Sequence, residues 1–528
     1  MIPRLRDTGF VSAPIHFELA LRSDTSRTSI RTVTSKKKVL LFFPRTGWDT
    51  EGVNLSLPLP LMYLGNPLER AGYDVQIIDQ RINPQWRDVI RREVRDGNVI
   101  AFGVSTMTGR QLLGAREASQ LVRKCNPNIP ILWGGVHPTL LPEQTLEHND
   151  FVDAICVGEG EEVFTDWVKA IDKDLPWEEI PGIAFRRAGS LIPHTRLPPT
   201  VDPNQHVRPA YHLVDMKRYI TTRLFGERDF ILMMSRGCPH QCTYCYETAF
   251  NINNQWRAVD PKLAVDEIQH VQKTYGITAV TFMDDLFFAK KKWAEGMADE
   301  IISRKLDMTF RADIRVDYAV GFGVDYLKKM RRAGFKYMYV GVESGSNRIL
   351  KFIKKQITRD KILESAQVFH ESGVSPHCSF MAGYPTESME EVLQTLSLML
   401  EITEICPNAT TSNLQIYAPY PGTELFQWCL ENGMRMPQTV DDWASSNFNR
   451  VNEHVWIGNK DQDFLRKASY FTYFLDGNTV VNYFRDRPIQ KSLAALYSKI
   501  VRARVRRHFY RFMPEMAVMA ALKERDII

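Results

Sequence analysis

Apolar runs of four to seven residues, each followed by helical periodicity, recur in two series along this 528-residue chain. The first series lies at 39–43, 74–78, 99–104, 129–133 and 154–157, and is rich in Val, Ile, Leu and Phe. Continuous runs of that kind suit strands buried on both faces of a parallel sheet, and helical stretches such as 109–124 supply the crossovers. The reading is a doubly wound, Rossmann-like α/β domain over 37–171. The second series runs over 226–433, with strand candidates at 230–235, 279–284, 308–313, 337–343, 377–381 and 412–417. Six βα units are fewer than the eight of a closed barrel, so a partial, open (βα)6 barrel of TIM type is expected. Between the two, 172–225 holds a hairpin candidate at 182–195 and a crowd of prolines, and reads as a linker. The tail, 434–528, reads as mostly helical.

A chain of this length exceeds what one hydrophobic core supports, in agreement with two α/β units. Hydrophobic residues make up 44% and charged residues 24%, too apolar for a disordered chain. The net charge of +5 does not call for a polyanionic partner. No apolar run reaches 18 residues, and the Arg-, Ser- and Thr-rich lead-in, 1–36, has neither an apolar signal core nor an amphipathic basic face. A cytoplasmic location is expected.

Three of the eight cysteines fall within eight residues, Cys238, Cys242 and Cys245, in the sequence Ser-Arg-Gly-Cys-Pro-His-Gln-Cys-Thr-Tyr-Cys-Tyr. Clustering without a secretory signal points to a reducing compartment and a metal centre. Three thiolates would leave one iron of a four-iron cluster open for chemistry. A zinc knuckle with His240 as fourth ligand is the structural alternative, and spacing alone leaves both readings open.

CxxxCxxC directly after the first strand of a βα series resembles the radical SAM superfamily. The resemblance implies a [4Fe-4S] cluster on the three cysteines and S-adenosyl-L-methionine (SAM) chelated to the open iron. Reductive cleavage of SAM then yields a 5′-deoxyadenosyl radical. It also implies that Tyr244 packs on the SAM adenine and that Asp284 and Asp285, ending the second strand, meet the SAM ammonium. Arg311 on the third strand would pair with the SAM carboxylate, and Glu343 and Ser344 after the fourth would contact ribose and methionine. An Asp pair capping the next helix and a buried structural arginine are the plain readings of Asp284, Asp285 and Arg311. Gly383-Tyr384-Pro385 and Tyr420-Pro421-Gly422-Thr423 follow the fifth and sixth strands and read equally well as turns.

In the first unit no G-x-G-x-x-G follows the first strand, and no GxxxxGK[ST] occurs anywhere. Instead Ser105-Thr106, Gly134-Gly135-Val136-His137-Pro138 and Gly158-Glu159-Gly160-Glu161-Glu162 stand after the third, fourth and fifth strands, where open α/β sheets bind ligands. Upstream of such a barrel this unit resembles the cobalamin-binding domain of cobalamin-dependent radical SAM enzymes, a resemblance covering about 37–433. It implies cobalamin held by Ser105, Thr106, Gly134, Gly135, His137, Gly158, Glu159 and Gly160. No Asp-x-His-x-x-Gly is present to supply an axial histidine, and His137 is expected to serve in a hydrogen bond or in packing.

Together these imply an enzyme that methylates an unactivated carbon of a small molecule between the two domains, with an external electron donor of flavodoxin or ferredoxin type. An oxidative cyclase or rearrangement enzyme, like the anaerobic cyclase of bacteriochlorophyll synthesis, uses the same cofactors and is the closest alternative. A methylthiotransferase is rejected, because only Cys125 and Cys156 lie upstream where three further cluster ligands are needed. A non-catalytic cobalamin sensor binding DNA rests only on the basic stretch Arg502, Arg504, Arg506, Arg507 and Arg511, which reads better as a solvated helix face. Nucleic acid is therefore not an expected partner. Cys378 is expected to be a buried, inert thiol.

Overall fold

A computed structural model describes residues 36–47, 49, 55–194, 196–223, 226–250, 255–445, 455–479, 488–511 and 513. Apart from Lys36, the lead-in lies outside them. Strands β1 (Lys38–Phe43), β2 (Asp74–Asp79), β3 (Val99–Ser105), β4 (Ile131–Gly134) and β5 (Ala154–Cys156) form a parallel sheet in the order β2-β1-β3-β4-β5. The order reverses between β1 and β3, the doubly wound pattern whose switch point opens a crevice at the strand C-termini. Phe42, Phe102, Trp133 and Trp167 are fully buried, as expected where helices cover both faces. At Gly103 the covering helix Glu161–Asp172 comes so close that a Cβ would lie 2.7 Å from Phe164.

The hairpin assigned to the linker instead extends this sheet. Strands β6 (Ile183–Arg187) and β7 (Ser190–Ile192) pair antiparallel onto β5, so the first sheet has seven strands. The backbone groups on the open edge of β5 require a partner, and the hairpin supplies it.

A second seven-stranded sheet carries the barrel. Its strands are β8 (Thr221–Arg223), β9 (Gly226–Leu232), β12 (Ala279–Phe282), β13 (Thr309–Ile314), β14 (Phe335–Glu343), β15 (Ser375–Ala382) and β16 (Thr410–Ile416), while β10 (Ser235–Arg236) and β11 (Arg257–Ala258) form a separate two-stranded ribbon. The order is β16-β15-β14-β13-β12-β9-β8; the six expected strands are parallel, and β8 is an antiparallel addition. Alternation along β13 buries Phe310, Ala312 and Ile314 and turns Arg311 and Asp313 the other way. Phe282, Phe310 and Phe335 stack on the helical side with centroids 5.2–6.1 Å apart. Asp260 caps helix Pro261–Tyr275, whose buried face is Ala264, Val265, Ile268 and Val271, while Leu263 is exposed.

The tail packs on the free edge of β16. Thr472 Oγ1 accepts from Leu414 N at 2.8 Å, and Asp476 Oδ2 accepts from Thr411 N at 2.7 Å, so edge amides are capped by side chains. Helix Pro488–Arg506 follows. Its basic stretch is less solvated than expected: Arg504 is buried, Arg502 donates to Thr403 Oγ1 at 2.9 Å, and Arg506 pairs with Glu404 at 2.5 Å. No described helix is long and apolar enough to cross a membrane.

Candidate active site

The cysteine loop leaves β10 through Gly237, whose φ of +83° is the left-handed turn that a residue without Cβ makes cheaply. Its entrance is held from β12. Asp284 accepts from Met234 N at 3.1 Å, from Ser235 N, and from Ser235 Oγ at 2.5 Å; Asp285 accepts from Gly237 N at 2.8 Å. Both oxygens of Asp284 are thereby engaged. The Asp pair acts first as a clasp on the loop backbone, and Asp284 meets backbone donors where an incoming ammonium was expected. Burial pushes the Asp284 carboxyl up to about 7 against these hydrogen bonds.

Cys242 is buried, while Cys238 and Cys245 are half-buried. Burial raises the Cys238 thiol to about 11 and the Cys245 thiol to about 12, and neighbouring thiols add to both, so a metal bound there at neutral pH would have to displace protons. Arg315, just after β13, brings Nη1 to 4.0 Å from Cys242 Sγ and is braced by Asp317 at 2.8 Å and by the Lys355 carbonyl at 2.6 Å. A fixed cation there suits an anionic sulfur centre. His240 is not turned to the thiols: its Nε2 lies 2.9 Å from Tyr318 Oη. Among the described residues no three His, Cys, Asp or Glu side chains converge on one ion position, the geometry a zinc knuckle needs.

Behind the loop, Lys355 Nζ bridges Glu343 Oε1 at 2.7 Å and Tyr244 Oη at 3.2 Å. Burial opposes the charge on Lys355, and the Glu343 carboxylate outweighs it, so the ammonium is held above its ordinary range. Glu343 itself sits at φ +70°, a strained conformation for a residue with a Cβ and a mark of functional segments. A Cβ on Gly341 would lie 2.5 Å from Glu343 Oε1 and 2.7 Å from Lys355 Nζ, so this pair requires glycine there. The following turn is locked to helix Met389–Ile405: Ser344 Oγ lies 3.3 Å from Thr395 Oγ1, Gly345 N donates to that hydroxyl at 2.9 Å, and Ser346 Oγ donates to Glu391 at 2.7 Å. Tyr384, fully buried with its ring 6.1 Å from that of Tyr244, leaves its hydroxyl without a partner among the described residues. Arg311 lies in register with Tyr337, its guanidinium carbon 4.8 Å from the Tyr339 ring and Nη2 3.5 Å from Asp313 Oδ1.

In the first unit the three expected loops do come together at the strand C-termini. Thr106 N donates to Gly134 O at 2.9 Å and His137 N to Thr106 O at 3.3 Å. Gly135, at φ +93°, passes so close that a Cβ would lie 2.5 Å from Thr106 O and 3.0 Å from Ser105 Oγ. Gly158 N donates to Thr139 Oγ1 at 3.0 Å, and Gly160 opens helix Glu161–Asp172. Thr106 Oγ1 is buried with no partner among the described residues, a polar atom left for a ligand. His137 is buried, hydrogen-bonded through Nδ1 to Thr108 Oγ1 at 3.0 Å and edge-on to Trp443 at 5.3 Å. It packs the loop against the tail.

Glu159 is engaged by protein donors. It receives Arg257 Nη1 and Nη2 at 2.9 Å, Arg236 Nη1 at 3.2 Å and Val201 N at 3.0 Å, while Arg236 Nη2 reaches Glu161 at 2.6 Å. Arg236 precedes Cys238 by two residues. The clamp therefore joins the loop after β5 directly to the root of the cysteine loop. Leu140, beyond Gly135, comes within 3.3 Å of a Cβ placed on Gly422 in the loop after β16, and Ala249 within 3.1 Å. The C-terminal edge of the first sheet thus faces the C-terminal edge of the second.

The B12-binding domain model matches residues 53–168 and the Radical SAM superfamily model matches 232–399, in that order. The chain belongs to the cobalamin-dependent radical SAM enzymes. An uncharacterized methyltransferase of Pyrococcus horikoshii is 28% identical over 83% of this chain and 92% of its own. The anaerobic magnesium-protoporphyrin IX monomethyl ester cyclase of Rubrivivax gelatinosus is 26% identical over 70% of this chain and 66% of its own. Among solved structures the fold matches the cobalamin-dependent S-adenosylmethionine radical enzyme OxsB, with a TM-score of 0.72 at 17% identity, covering 93% of this chain and 76% of that one. In this radical SAM enzyme the cofactors are a [4Fe-4S] cluster, SAM and cobalamin.

Arg236, Arg257, Arg315, Lys355 and Tyr384 have no place in the sequence-level assignment of roles. Arg236 had a signal, its position immediately before Gly237-Cys238. Lys355 had none, for it comes from a loop 110 residues beyond Cys245.

Proposed function

We propose that this enzyme transfers a methyl group to an unactivated carbon of a small molecule held between its two sheets. The observation that carries the reading is the clamp of Glu159 and Glu161 on Arg236 and Arg257, which ties the loop after β5 to the root of the cysteine loop. In this reading Cys238, Cys242 and Cys245 hold the cluster, with Arg315 balancing its charge. Tyr244, Glu343, Ser344, Lys355 and Tyr384 form the SAM side, and Arg311 lies beside them. Ser105, Thr106, Gly134, Gly135, Gly158 and Gly160 form the cobalamin side, with His137 keeping the loop in place. The cofactors bring the radical and the methyl group; the protein positions them and excludes water. Met107 and Met283, large apolar side chains standing exposed just beyond β3 and β12, suit a substrate cavity at the facing strand ends. Each turnover would consume two SAM cations and therefore two electrons, for which an external flavodoxin- or ferredoxin-type donor is part of the proposal.

The likeness to a cyclase gives a second reading, in which the same two cofactors act without methyl transfer. The test uses anaerobically reconstituted enzyme with cobalamin and reductant, and quantifies 5′-deoxyadenosine and S-adenosylhomocysteine together over a panel of candidate substrates. Both rising with one substrate is the expected result. 5′-Deoxyadenosine alone, with substrate consumed and no methyl mass gained, assigns the cyclase reading. Each of Cys238→Ala, Cys242→Ala and Cys245→Ala is expected to abolish the cluster absorbance and SAM cleavage.

A further inference from the structure

Helix Pro488–Arg506 is apolar on two faces, and the described residues cover only one. Its inner face, Ala494, Ser498, Val501 and Val505, is buried against the barrel and the preceding tail. On the outer face Ile489, Leu493, Leu496 and Ile500 are 73%, 62%, 58% and 48% exposed. Spacings of four, three and four place these four aliphatics in one stripe along three turns. Phe509, just beyond the helix, is also exposed. Scattered exposed leucines need no account, but a contiguous aliphatic stripe marks a contact surface.

The charge pattern says what the surface meets. Residues 488–511 contain Lys491, Lys499, Arg502, Arg504, Arg506, Arg507 and Arg511 and no Asp or Glu. Arg502 and Arg506 turn inward to Glu404, and Arg504 is buried. Lys499, Arg507 and Arg511 are exposed beside and beyond the stripe. A second copy laid stripe to stripe would bring two cationic segments together with no carboxylate within them to offset the repulsion. Nucleic acid would use the cations and leave four aliphatics in water. A bilayer bearing anionic headgroups satisfies both: aliphatics enter the headgroup–acyl boundary while cations meet phosphate.

We infer that the outer face of helix Pro488–Arg506 docks the enzyme reversibly on an anionic membrane surface. The helix would lie in the interfacial plane, its inner face still packed on the barrel. This conclusion does not depend on the reaction proposed above.

The experiment is flotation of the full chain with phosphatidylcholine vesicles, with and without phosphatidylglycerol, at low and high salt. Wild type is expected to float with the anionic vesicles, to lose binding as salt rises, and to remain behind with phosphatidylcholine alone. Leu493→Asp/Leu496→Asp changes two exposed positions, and is expected to weaken binding by at least about a hundredfold while leaving the thermal midpoint unaltered. Lys499→Glu/Arg507→Glu is expected to abolish the preference for anionic lipid. Failure of wild type to float at low salt overturns the inference, as does equal flotation of the leucine variant. So does a dimer in light scattering that the leucine variant dissolves, or a duplex-DNA shift without vesicle binding.

Discussion

Replacing Glu159 by alanine tests whether the two sheets work as one site. Its carboxylate accepts from four donors: two of Arg257 at 2.9 Å, one of Arg236 at 3.2 Å and the Val201 amide at 3.0 Å. Glu159 and Arg236 side chains are 16% and 11% exposed, so this is a largely desolvated pair, and removing one partner of such a pair costs about 3–5 kcal/mol. Arg236 keeps Glu161 at 2.6 Å, whereas Arg257 loses its only carboxylate among the described residues and, at 19% exposure, recovers part of its solvation. The lower end, about 3 kcal/mol, is therefore expected, which is roughly a hundredfold in the docking equilibrium of the two sheets. Glu159→Ala should keep the cluster absorbance and form 5′-deoxyadenosine, because no cluster or SAM residue is removed. Its methylated product per 5′-deoxyadenosine should fall by about ten- to a hundredfold, with faster amide exchange in 196–223. Glu159→Gln, which keeps an acceptor but no charge, should fall between. An unchanged product ratio in a folded Glu159→Ala enzyme would refute the reasoning. The pH dependence has a fixed sign. Burial opposes ionisation of Glu159, yet Arg257 and Arg236 prevail and hold its carboxyl below the ordinary range. The clamp is therefore complete above the ordinary carboxylate pKa and is lost as pH falls below it.

Three further outcomes are expected. Gly341→Ala places a methyl group 2.5 Å from Glu343 Oε1, so it should split the Lys355–Glu343 pair, cost about 1–3 kcal/mol in urea unfolding and weaken SAM binding measured by calorimetry; wild-type affinity would contradict it. Tyr384→Phe removes a buried hydroxyl that has no partner among the described residues, and should raise the ligand-free thermal midpoint by the equivalent of about 1 kcal/mol while lowering SAM affinity; loss of stability would show that the hydroxyl is satisfied within the protein. At Glu391 burial opposes the charge, but Arg348 and Ser388 prevail and hold the carboxyl down to about 2, so its support of the Ser346 turn is in place at neutral pH, declines below about 4.5 and is lost as pH falls through about 2. An acid-unfolding curve that Glu391→Gln leaves superimposable on wild type would contradict that assignment.

Much of the architecture was legible because buried parallel strands are written as short apolar runs. All five runs of the first series and all six of the second lie on the expected strands. What escaped was held by backbone pairing, which leaves little mark on side chains. β8 is a polar three-residue edge, and although the β6–β7 hairpin was readable and buries Ile183, Ala184 and Phe185, its main-chain pairing onto β5 was not. The cysteine motif, with Tyr244 inside it, stands out in the chain because its spacing is local. Asp284 and Glu159 were read as ligand contacts because acidic residues at strand ends commonly are, yet each meets protein donors that only the tertiary fold brings near. The basic tail was read as solvated, whereas three of its arginines are engaged by the helix beneath or buried. Lys355 and Arg315 reach the site from loops with no motif, so periodicity and spacing had no purchase on them.

The central claim is that one substrate meets both carriers in one cavity, and labelled SAM tests it most directly. With SAM bearing a trideuterated methyl group, anaerobic turnover should give a product heavier by that methyl group. 5′-Deoxyadenosine and S-adenosylhomocysteine should then accumulate in equal amounts. A product without label, formed while 5′-deoxyadenosine alone accumulates, would contradict the account.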